Sequence, residues 1–300
     1  ESARYALSQH LYSSAARIRQ LKDCVEKKLT GDDLVKRAVG VLEDFLTQNP
    51  TNPNADEAGF SLANAWLDLG NQDESAKLCG RLQKRFTKSK YLDAFLYIEG
   101  LANFKLLRFD AAETLLARVA TEKFPTESGE PAESNNKWLA IYILGQIHHA
   151  TGNPADAVLE YTKVADRFTD AKEAIDQFTL KRLALPEVST FKTGEPCKVK
   201  LTYRNVPAVD FAVYKVALMK LYLMRKNLNQ ITGINLSGIE AMHREKVELG
   251  AGTDYKDVER EVAFPVKDSG AYLVVAKGGE ADASGMILVT DLKLEVVEDA

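Results

Sequence analysis

The apolar positions of this chain follow two different periods. Up to about residue 175 they recur every three to four residues, the spacing of one face of a helix. After Phe178 they alternate with polar residues, the spacing of a half-buried strand. Within the helical stretch a single phrase recurs three times: Leu69-Gly70-Asn71-Gln72-Asp73-Glu74-Ser75, Leu106-Leu107-Arg108-Phe109-Asp110-Ala111-Ala112 and Thr151-Gly152-Asn153-Pro154-Ala155-Asp156-Ala157. Each copy follows an apolar helical stretch and opens a second one that ends near a phenylalanine, Phe86, Phe124 or Phe168. Self-similarity at a period of roughly 35 to 45 residues predicts a helical solenoid, an architecture that binds other chains and rarely does chemistry.

The elements follow from the same pattern. Residues 3 to about 28 hold no Pro or Gly and predict one long helix, which Gly31-Asp32-Asp33 breaks. A second helix carries Val39, Leu42, Phe45 and Leu46 at helical spacing and stops at Asn49-Pro50. Helix pairs are expected at about 55–69 with 73–86, 91–106 with 109–123, and 136–150 with 154–168. The connection Phe124-Pro125-Thr126-Glu127-Ser128-Gly129-Glu130-Pro131 is longer than the others and fits between repeats without breaking the stack.

The residues of 30–170 resemble the tetratricopeptide repeat (TPR) family. Leu62-Ala63, Trp66, Gly70, Ser75 and Leu82 carry the pattern in the first full pair. Leu144-Gly145, His148, Gly152, Ala157, Tyr161 and Val164 carry it in the third. The middle pair offers Gly100, Phe104, Phe109, Ala112, Leu116 and Val119, but Leu107 stands where the turn glycine belongs. Ala38, Leu42, Phe45 and Pro50 look like the second helix of a degenerate earlier repeat. Small residues at Ala63, Gly100 and Gly145 allow close helix approach, with large apolar partners filling the remaining space.

From Phe178 the chain is rich in β-branched residues. Val199, Leu201 and Tyr203 alternate with Lys198, Lys200, Thr202 and Arg204. Further strands are expected at 179–185, 209–216, 258–264, 271–277, 285–290 and 292–297, with turns at Thr193–Pro196, Lys267–Gly270 and Lys277–Glu280. About seven short strands in ~120 residues predict a β-sandwich. Residues 217–245 are ambiguous, and Leu218, Leu221, Tyr222 and Arg225 suit a short helix. The fold class is therefore multidomain, α and β: a TPR-like array at 1–176 and a sandwich of macroglobulin or fibronectin III type at 177–300.

The β-rich stretch resembles the macroglobulin-like domains of the bacterial alpha-2-macroglobulin family. The residues that carry the resemblance are Tyr203-Arg204-Asn205-Val206, Val213-Tyr214-Lys215-Val216, Phe264-Pro265-Val266, Gly270-Ala271-Tyr272-Leu273-Val274, and Ser284-Gly285 leading to Leu288-Val289-Thr290-Asp291-Leu292. The resemblance implies a large protein of stacked domains outside the cytoplasm: periplasmic, surface-exposed or secreted. Some members trap proteases through a Cys-Gly-Glu-Gln thioester. Here Cys79 is followed by Gly80-Arg81-Leu82 and Cys197 by Lys198-Val199-Lys200, so trapping chemistry is not assigned to these residues.

Charge and composition narrow the classes. The net charge is −4, and no run of Lys or Arg is long enough to follow a phosphate backbone, so a nucleic-acid partner is not expected. No apolar run approaches the ~20 residues of a membrane span. Three cysteines, Cys24, Cys79 and Cys197, are widely spaced and suggest neither a disulfide framework nor a zinc site. Adjacent helix residues point ~100° apart, so His148-His149 is a poor chelate. Asp254, Asp257, Glu259 and Glu261 read as a solvated run. No catalytic residue, cofactor or metal is expected.

One constellation stands out. Phe60, Tyr97 and Tyr142 occupy the same repeat position, which in the TPR family faces the groove. Leu101 and Phe104 lie nearby, with Asn64, Asp68, Lys105, Gln146 and His149 around them. Two readings stay open: the rings pack between neighbouring helices, or they line an apolar groove suited to a peptide or helix. In the second, the helix at 3–28 or the sandwich competes as occupant. The expected function is a non-enzymatic module binding a protein or peptide. It would form the front section of a larger extracytoplasmic alpha-2-macroglobulin-like protein. The alternative is a protease-trapping defence protein whose active elements lie elsewhere. The oligomeric state is not legible.

Overall fold

A computed structural model describes residues 2–20, 30–217 and 239–292. The chain divides into two compact units, residues 1–172 and 173–300.

The first unit is built from helix pairs. Helix α1 (Ser2–Gln20) precedes α2 (Gly31–Gln48). The expected continuation of the first helix to residue 28 lies outside the described residues. Gly31-Asp32-Asp33 does not break a helix but is the first turn of α2. Thr30 caps it: the Asp33 amide donates to Thr30 Oγ1 at 3.2 Å, and the Thr30 amide donates to Asp33 Oδ2 at 2.9 Å. This reciprocal box satisfies two amide donors that the first turn leaves open. The apolar stripe of α2, Leu34, Val35, Ala38, Val39, Leu42 and Phe45, is buried.

Three further pairs follow: α3 (Ala55–Asp68) with α4 (Gln72–Arg85), α5 (Leu92–Lys105) with α6 (Phe109–Thr121), and α7 (Lys137–Ala150) with α8 (Pro154–Thr162). Helix α8 is shorter than its expected span to Phe168. Beyond Thr162 the bonds tighten, with the Val164 amide on the Tyr161 carbonyl and the Arg167 amide on the Val164 carbonyl, a common helix ending. Helix α9 (Thr169–Thr179) then runs across the boundary between the units.

The recurring phrase is the turn between paired helices, and all three copies share one geometry. Gly70, Leu107 and Gly152 have φ of 76, 58 and 78°, all in the left-handed region. Their amides donate to Leu67, Phe104 and His149, and the following amides to Trp66, Asn103 and His148. Leu107 thus adopts the glycine conformation, with its side chain 72 % exposed and nothing gained by packing.

The pairs close through matched volumes. A Cβ added at Gly100 would lie 2.8 Å from Leu116, and one at Gly145 would lie 2.6 Å from the Tyr161 ring. At the equivalent positions of the preceding pair stand Ala63 and Cys79, both fully buried. A larger residue on one helix therefore meets a smaller one on the other. Ser75 takes the position held by Ala112 and Ala157, and its hydroxyl donates to the Ala63 carbonyl at 2.9 Å.

The 37-residue spacing between Gly70 and Leu107 becomes 45 between Leu107 and Gly152. The additional residues form a hairpin between α6 and α7, with β1 (Lys123–Phe124) paired antiparallel to β2 (Ala132–Glu133).

The second unit contains two sheets. Strands β3 (Arg182–Ala184), β5 (Cys197–Arg204) and β8 (Val258–Phe264) form one, in the order β3-β5-β8. The other has the order β4-β10-β9-β6-β7, from β4 (Val188–Phe191), β6 (Ala208–Val216), β7 (His243–Glu248), β9 (Gly270–Gly278) and β10 (Ala281–Val289). Only the β4–β10 pairing is parallel among those described. One core takes Val199, Leu201, Tyr203 and Phe264 from the smaller sheet and Phe211, Val213, Tyr272 and Ile287 from the larger. The Phe211 and Phe264 rings meet edge to face at 5.3 Å.

Strand β5 alternates as its sequence predicts, with Cys197, Val199, Leu201 and Tyr203 inward. The acidic run pairs across the outer face: Glu259 with Lys200 at 2.6 Å, Glu261 with Lys198 at 3.8 Å, and Asp257 with Arg204 at 2.9 Å. Strands β4 and β7 have no counterpart among the expected strands. In β7 only Val247 is apolar, so an edge strand of charged residues shows no hydrophobic period. The expected helix around Leu218, Leu221, Tyr222 and Arg225 lies outside the described residues, as does residue 293 onward of the strand expected at 292–297.

Asn205 ties the start of this unit together. It is buried, with φ of 53°. Its amide nitrogen donates to the Phe178 and Leu180 carbonyls at 2.6 and 3.1 Å, and its oxygen accepts from the Tyr255 amide at 2.8 Å.

These positions make the backbone geometry testable. Leu107→Gly should raise stability by about 0.5 to 1 kcal/mol, because relief of the left-handed penalty exceeds the flexibility added to the unfolded chain. Gly152→Val should lower it by about 1 kcal/mol or more. Thermal melting checks both, and a destabilised Leu107→Gly would contradict the turn geometry. Asn205→Leu leaves the half-buried Phe178 carbonyl and Tyr255 amide without that partner and should cost the β unit about 1 to 3 kcal/mol in chemical denaturation.

Candidate interaction groove

Helices α3 and α5 and the β1–β2 hairpin enclose a cavity of about 810 Å³. From α3 come Phe60, Asn64 and Leu67. From the start and face of α5 come Lys90, Tyr91, Asp93, Ala94, Tyr97, Ile98 and Leu101. The hairpin forms the opposite wall with Phe124, Pro125, Thr126, Glu127, Ser128, Glu130, Pro131, Ala132 and Glu133, followed by Asn135 and Asn136.

Helical spacing explains the floor. Phe60 and Asn64 lie four residues apart on one face of α3, and Tyr97 and Leu101 do the same on α5. Asn64 donates to the Phe60 carbonyl at 2.9 Å. The Phe60 ring stacks on Tyr91 with centroids 5.0 Å apart and planes 16° from parallel. Such a pair contributes roughly 0.5 to 1.5 kcal/mol beyond its buried area. Burial pushes the Tyr97 hydroxyl above its ordinary pKa. It raises Tyr91 as well, with the nearby Glu57 carboxylate adding to the effect. Both phenols therefore stay neutral at physiological pH and keep a proton to donate.

The hairpin is held at several points. Phe124 is buried at its base. Ser134 Oγ donates to Asp93 Oδ2 at 2.7 Å, tying the end of the hairpin to the first turn of α5. Thr126 Oγ1 donates to the Glu130 carbonyl at 2.8 Å across the tip. Glu127 forms an ion pair with Lys90.

Of the ten residues expected in a groove, Phe60, Asn64, Tyr97 and Leu101 line this cavity. Asp68 lies at the end of α3 and accepts the Tyr12 hydroxyl of α1 at 2.9 Å. Phe104 packs at 6.2 Å against Phe109 in its own pair, and Lys105 is exposed at the end of α5. Tyr142 stacks on Phe168 at 4.5 Å, packs on Tyr161 at 6.1 Å, and its hydroxyl donates to Asp170 at 3.4 Å. Burial first, then Asp170, raises its pKa. Gln146 stands beside that hydroxyl, and His149 is exposed near the end of α7. Tyr142 and Tyr97 are both half-buried; the first meets ring and carboxylate partners of its own chain, whereas the second borders the cavity.

Helix α1 packs on α2 and α3, and its Tyr5 hydroxyl bonds Glu57 and lies within the field of Tyr91. Gln9 Nε2 donates to Ser61 Oγ at 2.7 Å, and Tyr5 packs on Phe45. The residues that sequence reasoning passed over are Tyr91 and the hairpin wall. The signal for the wall was present in the lengthening of the repeat from 37 to 45 residues.

Among the described residues no three His, Cys, Asp or Glu side chains converge as a metal-binding group. Cys79 and Cys197 are buried free thiols, both pushed upward in pKa chiefly by burial. No described helix is long and apolar enough to cross a membrane.

No known family matches the sequence, and no curated protein is a match. Several solved structures overlap the chain. A crystal structure of MamA covers 51% of this chain and 81% of its own at 23% identity and a TM-score of 0.40. Nearly identical TPR-like repeats from Podosopora anserina cover 58% and 85% at 16% identity and a TM-score of 0.41. A tetratricopeptide repeat protein from Parabacteroides merdae covers 57% and 60% at 13% identity and a TM-score of 0.40. Likenesses at these TM-scores do not fix a role. The helix pairs, their shared turn and their matched small residues make the first unit a TPR-like array.

Tyr142, with its ring partners, and Leu101, on the cavity wall, should respond differently to truncation. Tyr142→Ala removes two ring contacts and should cost about 2 kcal/mol or more, whereas Leu101→Ala at the cavity wall should cost about 1 kcal/mol. Equal losses in thermal melting would contradict the distinction.

Proposed function

We propose that this chain is a non-enzymatic protein-binding module whose TPR-like array receives a peptide or helix in the α3–α5–hairpin groove. The observation that carries this reading is the aromatic floor, Phe60, Tyr91 and Tyr97, half-buried and opening on a cavity large enough for several side chains. Rigid aromatics offer large contact area for little lost entropy and are frequent energetic centres of interfaces. Asn64, Leu101 and Phe124 extend that surface.

Other parts of the proposal rest on different observations. Domain limits of 1–176 and 177–300 follow the change of hydrophobic period. A β-sandwich for the second domain is supported by the single core its two sheets share. Its resemblance to macroglobulin-like domains supports a place in a larger extracytoplasmic protein.

The test is differential capture from an extract of the source organism, using the wild type, Leu101→Asp in the groove and Leu159→Asp on an exposed face of α8. A polypeptide retained by the wild type and by Leu159→Asp, but lost with Leu101→Asp, is the expected result. All three should keep the same helical circular dichroism. Capture that ignores Leu101→Asp would overturn the assignment of the groove.

A further inference from the structure

We infer a charge class for the groove's occupant: a short partner segment in which apolar side chains stand beside lysine or arginine. This rests on the groove being the binding site. The floor is apolar, but the lining carries four carboxylates, Asp93, Glu127, Glu130 and Glu133, against the single amine of Lys90. Lys90 pairs with Glu127, and Lys137 pairs with Glu133 at 2.7 Å. Lys123, opposite Glu133 in the hairpin, adds a second positive field there, so the charge left over lies on Asp93 and on exposed Glu130, which has no ion pair among the described residues. Asp56 and Glu57, at the start of α3, add to it through their field on Tyr91. Carboxylates beside a low-dielectric wall focus a negative potential on the opening.

Lys90 shows how a cation fits. Its amine pairs with Glu127 while lying 5.1 Å over the Tyr91 ring. An incoming lysine or arginine would take this aromatic face and carboxylate by displacing the exposed amine of Lys90, since Phe60 covers the other face of Tyr91. Apolar neighbours in the same segment would fill the space over Phe60, Tyr97 and Leu101. An acidic segment would bring like charges together at the rim and be rejected.

Panning a phage-displayed random peptide library on the 300-residue protein tests this directly. Enriched peptides should combine Leu, Phe or Trp with Lys or Arg. By fluorescence polarisation, Glu130→Gln with Glu133→Gln should weaken the best of them about fivefold or more. The loss should lie mainly in the association rate and shrink as salt is raised. Tyr97→Ala should weaken binding as well, with circular dichroism unchanged in both variants. Neutral or acidic winners that depend on Tyr97 but not on the carboxylates would overturn the charge assignment and leave the groove intact. Winners insensitive to both variants, or no winners, would overturn the groove and the inference together.

Discussion

Close packing of paired helices at Gly100 and Gly145 is the constraint on which the array depends. A single methyl group at either position would lie within 3 Å of Leu116 or Tyr161, too near for either to remain in place. The helices can approach this closely only because one side of the contact has no side chain. The left-handed turn that follows then fixes where the second helix begins. Together they repeat the same pair geometry, and each first helix presents the same position to the same side. Phe60, Tyr97 and Tyr142 are therefore structurally equivalent, and their different fates come from what surrounds them.

Those surroundings differ because the repeats do. At Tyr142 the chain returns, placing Phe168 and Asp170 on the ring. At Tyr97 the additional residues between α6 and α7 rise as a hairpin instead. Its base is anchored by Phe124 and by the Ser134–Asp93 hydrogen bond, so a wall stands beside a cavity that the half-buried ring borders. A cavity between elements of one stable array requires little reordering when a ligand enters, and pre-organisation of that kind reduces the cost of binding. The Lys90–Glu127 pair at the rim is exposed and contributes little to stability, so a basic partner could displace Lys90 from Glu127 at small cost.

Much of this is legible from hydrophobic period alone. The helix pairs, the turn positions and the inward residues of β5 all follow from where apolar residues recur. Strand β7 escapes because an edge strand with one apolar residue has no period to detect. Leu107 stands out in the sequence as a departure from the repeat, yet only its φ shows that a leucine holds the glycine conformation. The groove is half legible. Phe60, Asn64, Tyr97 and Leu101 share a face that repeat arithmetic identifies, whereas Tyr142, Phe104 and Asp68 meet partners set by tertiary packing. The hairpin wall is visible only as additional length, since Pro125 and Pro131 mark a loop and do not say where it leans.

If the hairpin makes the α3–α5 surface a binding groove, then shortening it should abolish that role and little else. Replacing Thr126–Glu130 with two glycines keeps the Phe124 anchor and the Ser134–Asp93 bond but removes the tip of the wall. Affinity for a groove-dependent peptide, measured by titration calorimetry on the replaced and intact proteins, separates the possibilities. Binding at least tenfold weaker, about 1.4 kcal/mol, is expected, with thermal melting nearly unchanged. Unchanged affinity in a folded protein without the hairpin tip would contradict it.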